Sequence, residues 1–303
     1  MEILTAGAPS GTARYSLTVA TGDEHVRAAQ ALRHQVFAEE LGATLRSPIA
    51  GLDIDFLDPF CDHLVITETL TGDVVGTYRM LPPGRTDLLY CDGEFDLRSL
   101  APLRNVLVET GRACVHPAHR SGAVIGLMWA GIARYMHLHD RRWLIGCASV
   151  PLAEAATVWR HVQRYLAPPL MRVTPHHPWP VEEAHPADRR ATIPPLLRGY
   201  LRLGAWVCGP PAHDPDFGVA DLPVLLALDR MDPRYLRHFL DPHADRTKHN
   251  HRADHANRTS HDHRTSHTDR TNHADRKKHA DRTTYADGIT NKSRDRDRRG
   301  DQP

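Results

Sequence analysis

The chain has 303 residues, of which 38 are Lys or Arg and 37 are Asp or Glu, and its formal net charge is +1. Residues 1–240 hold 23 basic and 26 acidic side chains, a net charge of −3, so a general electrostatic attraction to nucleic acid is not expected. Five scattered cysteines without a CxxC pair, and the lack of a signal-peptide or membrane-span pattern, predict a cytoplasmic protein with neither a disulfide framework nor a metal site.

Apolar periodicity predicts alternating strands and helices at the start of the chain. Residues 15–20 favour a short strand, and residues 24–41 carry apolar side chains along one helical stripe that Gly42 would end. After an Asp-rich loop, residues 63–70 and 74–81 predict the two strands of a β-hairpin, joined by a Thr-Gly-Asp turn.

Similar patterns continue through the rest of the folded part. Residues 106–115 (VLVETGRACV) predict a strand, residues 123–139 a helix, and residues 143–150 a strand with both faces buried. The remaining predicted elements are a helix, a proline-rich loop, a helix and a strand, over residues 151–165, 175–192, 193–205 and 224–231. Because helices alternate with strands and a hairpin is also present, we predict an α/β (α+β) protein with a mixed sheet and helices on its faces.

Charged side chains stand within or beside these apolar elements, where burial would require a partner for each of them. Arg33 and Phe37 lie one turn apart on the same side of the first helix. Asp55 and Asp58 follow in the loop, and Arg79 interrupts the apolar second strand of the hairpin. Each residue alone also has a plain structural interpretation, such as a surface arginine, a core phenylalanine or an ordinary turn aspartate.

Glu109 and Arg112 lie three residues apart in the strand over residues 106–115, so a period of two should turn them to opposite faces. The intervening Gly111 could support a β-bulge that re-aims one of them, and bulges are frequent beside active sites. A structural salt bridge between the two residues is the alternative.

A basic turn joins this strand to the following helix. Arg120 contributes positive charge, and Ser121 and Gly122 open the backbone in front of the helix. Alone, this sequence would be a common turn. The first N–H groups of a helix attract anions, so its position between this strand and this helix makes it a candidate site for a phosphate group.

Taken together, these residues resemble a known family. The pattern shared with acyl-homoserine-lactone synthases is Arg33-x-x-x-Phe37, Asp55-x-x-Asp58, Arg79 and Glu109-x-x-Arg112. Longer stretches, among them CDHLVI, VVGTYRML and VETGRACVHPAHRSGAVIGLMWAGIARY, are more similar to the ornithine Nα-acyltransferases of ornithine-lipid synthesis. The resemblance covers about residues 30–240 and implies an acetyltransferase-like (GNAT) fold for a domain over residues 1–240.

The resemblance implies that a 3-hydroxyacyl chain moves from acyl carrier protein to the α-amine of L-ornithine, giving lyso-ornithine lipid. The donor would be the phosphopantetheine thioester of the carrier protein, and no further cofactor is expected. The enzyme would work in the cytoplasm. A transient contact with the inner membrane surface is a further possibility. An amine attacks a thioester only when neutral, so Glu109 would accept the proton of the α-ammonium and Arg112 would orient Glu109. Two rivals remain: a lactone synthase that uses S-adenosylmethionine, and a non-catalytic protein that binds acyl carrier protein.

The resemblance also implies roles in substrate binding. Arg33 or Arg79 would bind the carboxylate of ornithine, because a guanidinium forms paired hydrogen bonds with a carboxylate. Asp55 and Asp58 would bind the side-chain ammonium, beside Phe37. Arg120, Ser121 and Gly122 would bind the single phosphate of phosphopantetheine, which belongs to the acyl donor. The alternative is that the charged residues pair with one another and hold the N-terminal segment together.

From residue 241 the composition changes. His recurs every six residues from His243 to His279, in step with Arg, and apolar residues are almost absent. Such a segment cannot offset the entropy lost on ordering, so residues 241–303 predict a disordered tail whose removal leaves activity intact. Weak metal binding through histidine, or a pH-dependent contact with anionic lipid, is the functional alternative for this tail.

Overall fold

The computed structural model describes residues 14–120, 122–180 and 192–240. Ser121 and the predicted tail over residues 241–303 lie outside the described residues. The strands are β1 Tyr15–Val19, β2 Asp62–Glu68, β3 Val74–Leu81, β4 Phe95–Asp96, β5 Leu107–Val115, β6 Trp143–Pro151, β7 Thr174–Pro175, β8 Trp206–Val207, β9 Ala212–Asp214 and β10 Val219–Ala227. The α-helices are α1 Asp23–His34, α2 Cys91–Glu94, α3 Ala123–Leu138, α4 Leu152–Val162, α5 Pro195–Arg202 and α6 Pro233–Leu240.

The main sheet is mixed, as the sequence predicts, and most of its strand pairs are antiparallel. Its order is β1-β2-β3-β5-β6-β10-β8, and β9 also pairs with β10. Among the strand pairs of the described residues, the central β5–β6 pair is the parallel one, and the helix α3 connects these two strands. Strands β4 and β7 form a separate two-stranded ribbon. The predicted hairpin is confirmed as β2 and β3, and the predicted central strands as β5 and β6.

Helices cover both faces of the sheet. One face packs against α3, α4 and α5 through a large apolar core that includes Met128, Val158 and Leu197. The opposite face is covered by α1, α2 and the loop between α1 and β2, with Leu32, Leu57 and Cys91 buried against it. Charged side chains on this second face are therefore enclosed between the sheet and the N-terminal segment.

The two central strands separate halfway along their length. They pair only from Leu107 opposite Trp143 to Thr110 opposite Gly146. Beyond this point β5 continues against β3, while β6 continues against β10. At the point of separation a Cβ on Gly146 would lie 2.7 Å from the Thr110 carbonyl oxygen, so the close approach requires glycine. A cleft thus opens between the second halves of β5 and β6.

Three details differ from the sequence-based expectations. The first helix ends in a π-helical stretch, Gln35–Glu40, before Gly42 adopts a left-handed φ of 76°. Ser149 in β6 is exposed, because the strands have separated there, so the prediction that both faces of this strand are buried is wrong for its second half. The last predicted strand begins five residues earlier than residue 224, at Val219. Among the described helices, none combines the length and the apolar character needed to cross a membrane.

Candidate active site

A β-bulge lies in β5 at Arg112 and Ala113, beginning three residues after Glu109. Arg79 pairs with Gly111 and Thr77 pairs with Cys114, so two residues of β5 stand opposite one residue of β3. Arg112, rather than the predicted Gly111, takes the unusual conformation, with a φ of 54°. A left-handed arginine is uncommon and persists only where its surroundings hold it. The predicted bulge is confirmed, and it turns Arg112 away from the regular strand alternation.

Glu109 is buried and held by two backbone amides. Its Oε2 accepts a hydrogen bond from the Tyr90 N–H at 2.7 Å, and its Oε1 accepts one from the Cys91 N–H at 2.8 Å, at the start of α2. Burial raises the pKa of the Glu109 carboxyl above its ordinary value, although these amide hydrogen bonds and the Arg79 charge oppose that effect. The result is a fixed carboxylate that is a better proton acceptor than an exposed one.

Arg112 contacts other carboxylates instead of Glu109. Its Nε lies 3.1 Å from Asp53 Oδ2 and its Nη2 lies 3.2 Å from Asp55 Oδ2. We expected Arg112 to orient Glu109 or to form a salt bridge with it, and both expectations are wrong. The backbone amides of residues 90 and 91 orient the carboxylate instead. The bulge explains the change, because it directs the arginine toward the loop over residues 53–58.

A buried network joins the other predicted charges. Arg33 donates to Asp53 Oδ2 at 2.9 Å and to Asp58 Oδ2 at 2.7 Å, and its side chain is 0% exposed. Arg79 donates to Asp58 Oδ1 at 2.9 Å and to Asp55 Oδ1 at 2.5 Å. Although burial opposes it, pairing with these arginines lowers the pKa of Asp55 and of Asp58. Arg33 is therefore no surface residue, and the structure joins all four predicted charges in one network, to which Asp53 is added through Arg33.

Aromatic rings enclose the guanidinium of Arg112. Its Cζ lies 5.2 Å from the centre of the Tyr90 ring and 4.8 Å from that of Phe217. Phe37 meets Phe217 edge to face, with 5.6 Å between the ring centres. The predicted Phe37 thus supports the site through Phe217. Tyr90 and Phe217 lie in loops without a distinctive pattern, so the sequence held no signal for them.

The predicted phosphate turn lies at the other end of β5. Arg120 forms a two-pronged ion pair with Glu40, at 2.5 and 2.7 Å, and its Nε donates to the Val115 carbonyl at 3.0 Å. Gly122 has a φ of 96° and precedes the first turn of α3, as the predicted open backbone requires. Ser121 lies outside the described residues. The described part of the turn therefore places an arginine beside the N-terminus of a long helix.

A surface crevice of about 340 Å³ lies elsewhere, beside α2 and β4. It is lined by Asp92, Phe95, Asp96, Leu97, Arg98, Ala101, Arg104 and His176. None of the predicted site residues lines it, and its lining has no buried carboxylate next to the separating strands. We therefore place the candidate site at Glu109 and the cleft.

Comparison with known proteins gives matches over most of the chain. A family described as an acetyltransferase (GNAT) domain matches residues 32–130, which confirms the predicted fold. The L-ornithine N(alpha)-acyltransferase of Rhodobacter capsulatus is 34% identical over 245 residues, or 73% of this chain and 93% of that protein. The enzyme of the same name from Brucella abortus is 32% identical over 237 residues, or 71% and 84% of the two chains. Among solved structures, a CoA-dependent acyl-homoserine lactone synthase has a TM-score of 0.45 at 17% identity, with 72% of this chain and 81% of that one covered.

Proposed function

Because this chain belongs to the family of L-ornithine Nα-acyltransferases, we propose that it moves a 3-hydroxyacyl chain from acyl carrier protein to the α-amine of L-ornithine in the cytoplasm. The observation that carries this proposal is the placement of Glu109, a buried carboxylate of raised pKa at the point where β5 and β6 separate. The product joins a charged amino acid to a fatty chain, so a transient contact with the inner membrane surface is part of the proposal.

The reaction needs one base and one leaving group. Each oxygen of Glu109 accepts one amide hydrogen bond, and a carboxylate has about four lone-pair positions, so it can still accept a proton from the α-ammonium. The neutral nitrogen then attacks the thioester carbonyl, the new C–N bond forms, and the C–S bond breaks with its electron pair left on sulfur. The nitrogen loses its second proton as the amide forms, and the released thiolate takes that proton up. A thiol with a pKa of about 8.5 can depart as thiolate without a dedicated acid.

The cysteines near Glu109 are poor candidates for an acyl-enzyme. Cys91 and Cys147 lie with their sulfurs 3.5 Å apart. Their mutual contact together with burial holds the pKa of Cys91 well above its ordinary value, and burial raises that of Cys147 to about 12 against the opposing effect of the contact. Only a thiolate is an effective nucleophile, so both thiols are inert at neutral pH. We therefore propose direct transfer from donor to amine.

The charge network suggests which residues meet the acceptor. The charged groups of Arg33 and Arg79 both form ion pairs with Asp58. We therefore propose that these three residues fix the positions of Asp55 and Arg112 and do not bind the substrate themselves. Arg112 keeps 12% of its side chain exposed between two aromatic rings and is our candidate for the ornithine carboxylate. Phe37 contributes by holding Phe217 against this arginine.

The donor phosphate is assigned to the turn before α3. The first amides of a helix carry partial positive charge, and Arg120 adds a full charge beside them. The phosphopantetheine of acyl carrier protein has one phosphate. This phosphate would replace the Glu40 carboxylate as the partner of Arg120. Gly122, and Ser121 from the sequence pattern, complete the proposed phosphate site.

Arg120→Gln is expected to raise the KM for the acyl donor by at least about 10-fold with little change in kcat, because a charge-assisted hydrogen bond contributes roughly 1.5–3 kcal/mol. Steady-state kinetics at varied donor concentration checks this. Glu40→Gln is the matched control, since it breaks the same ion pair but leaves the arginine in place. An equal rise of KM in both variants would show that the pair only maintains the turn.

The proposed function is tested with the purified full chain, a 3-hydroxyacyl carrier protein and a panel of acceptors. The panel contains L-ornithine, L-lysine, L-glutamine and S-adenosylmethionine, and products are identified by mass spectrometry. We expect acyl-ornithine as the main product, and a higher rate with the carrier-protein donor than with the CoA thioester. A lactone product, or no acylation of any acceptor, would refute the proposal.

A further inference from the structure

Three carboxylates meet on the far side of the cleft from the arginine network. Asp214 ends β9, Asp221 lies within β10, and Glu94 ends α2. Asp214 pairs with Val219 and Ala212 pairs with Asp221, so the two aspartates are diagonal neighbours on one face of the β9–β10 ladder. The cluster therefore brings together residues separated by about 120 positions in the chain.

Asp221 is the central member. It is 2% exposed, and its Oδ1 has no hydrogen-bond partner in the described part of the chain. Ser149, its register partner in β6, is exposed, so the carboxylate lies where the cleft reaches the sheet. Burial, reinforced by the charge of Asp214, raises the pKa of Asp221 to about 6. A buried carboxylate with an unused acceptor oxygen lacks a partner that a ligand can supply.

Glu94 faces the same excess of negative charge. Burial, followed by the charges of Asp221, Asp214 and Asp216, raises the pKa of Glu94 to about 7. Within residues 14–120, 122–180 and 192–240, no ion pair is formed by Glu94, Asp214 or Asp221. Arg112, whose charge acts on Asp221, is paired with the carboxylates of the other network. A bound cation would neutralise this local charge.

Tyr90 connects the cluster to the proposed base. Its backbone N–H donates to Glu109, while its hydroxyl donates to Asp214 Oδ2 at 3.1 Å. Glu109 and the acidic cluster therefore lie on one side of the sheet, separated by about the length of one tyrosine side chain. The arm of a basic amino acid can span such a separation, with its α-amine at Glu109 and its other end at the acidic cluster.

We propose that Asp221, together with Asp214 and Glu94, binds the side-chain ammonium of the acceptor amino acid, an inference that rests on the proposed function. This differs from the expectation that Asp55 and Asp58 bind it, because arginines already match the charges of those two residues. An acceptor with a neutral side chain would leave the buried carboxylates unpaired, and sites of this kind discriminate strongly against such analogues. The cluster would thus select a basic acceptor.

The test compares L-ornithine with L-norvaline, which has the same three-carbon side chain without the ammonium. Both are offered together in equal amounts, and the ratio of acyl-ornithine to acyl-norvaline is measured by mass spectrometry. Asp221→Asn is expected to lower this ratio at least about 10-fold and to raise the KM for ornithine, since a hydrogen bond between charged groups is lost. A ratio within twofold of the unmodified protein would overturn the inference.

Two measurements separate binding from folding. Asp221→Asn removes an unpaired buried charge, so its Tm at pH 8 is expected to be unchanged or higher than that of the unmodified protein, while a purely structural role predicts a lower Tm. Asp229→Asn is the matched control, since Asp229 follows the end of the same strand and is exposed, and it should leave the ratio unchanged. If Asp221→Asn fails to fold, Glu94→Gln takes its place, with at least a threefold fall expected and an unchanged ratio overturning the inference.

Failure of the inference about the acidic cluster can be distinguished from failure of the proposed function. If the unmodified protein makes no acyl-ornithine, the function itself is refuted. If it makes acyl-ornithine and Asp221→Asn keeps the same preference, the function stands and the acidic cluster is not the ammonium site.

Discussion

Glu109→Gln is expected to lower kcat for acyl-ornithine formation by at least about 100-fold, the usual contribution of a positioned general base. The glutamine keeps the shape of the side chain but cannot accept the proton of the α-ammonium. Steady-state kinetics with saturating donor measures the loss. In the unmodified protein each oxygen of Glu109 accepts a hydrogen bond from a backbone N–H, and the NH₂ group of a glutamine cannot accept one. Because this loss could also destabilise the fold, the Tm of the variant is measured as the control for folding.

The pH profile distinguishes a base from a structural carboxylate. A general base works only when deprotonated, and burial raises the pKa of Glu109, so kcat/KM of the unmodified enzyme should fall as pH drops through that raised value. The variant should lose this acid limb. A variant that folds and retains more than a tenth of the rate would remove Glu109 from the mechanism.

Arg33→Met is expected to destabilise the protein by about 3–5 kcal/mol, because it leaves two buried carboxylates without their principal partner. The side chain is 0% exposed and donates to both Asp53 and Asp58. Urea unfolding followed by circular dichroism measures the free energy of unfolding. Arg14→Met is the matched control: Arg14 pairs with Glu68 at the surface, so little or no loss of stability is expected. Equal losses in the two variants would contradict a central role for the buried network.

The same network makes stability depend on pH in a known direction. Arginine pairing lowers the pKa of Asp58 below its ordinary value of 3.8, so its contribution to stability is fully present above that value and is lost as pH falls below it. Asp221 has the opposite sign: its pKa of about 6 means that the folded state is favoured by its protonation, and this benefit disappears as pH rises through about 6. The contributions of these two groups to the free energy of unfolding therefore change with pH in opposite directions.

The strands and helices around the site could be predicted because their apolar patterns are local. The isolated charges Arg79 and Glu109 stood out for the same reason, since an apolar strand makes a charge conspicuous. Arg79 pairs with Asp55 and Asp58, which is the alternative expectation that the charged residues pair with one another. The backbone partners of Glu109 and the contribution of Asp53 could not be predicted. Asp53 resembles any loop aspartate, and its contact with Arg33 and Arg112 depends on how the loop folds over the sheet.

Asp221 shows where the sequence held a signal that was missed. It stands alone in an apolar run, VADLPVLLA, just as Arg79 does in β3. The predicted strand begins at residue 224, directly after Pro223, a residue type that is usually confined to edge strands and bulges. In the structure Pro223 pairs with Cys147 inside the sheet, and the strand extends back through Asp221. Non-local pairing of β9 with β10 then completes the acidic cluster.

The position of the acyl group on ornithine tests the whole arrangement most directly. The purified full chain is given a 3-hydroxyacyl carrier protein and L-ornithine, and tandem mass spectrometry assigns the acylated nitrogen. Acylation of the α-nitrogen is predicted, because Glu109 removes a proton there while the acidic cluster keeps the side-chain nitrogen protonated and unable to attack. Acylation of the side-chain nitrogen, or the absence of any acyl-ornithine, would contradict it.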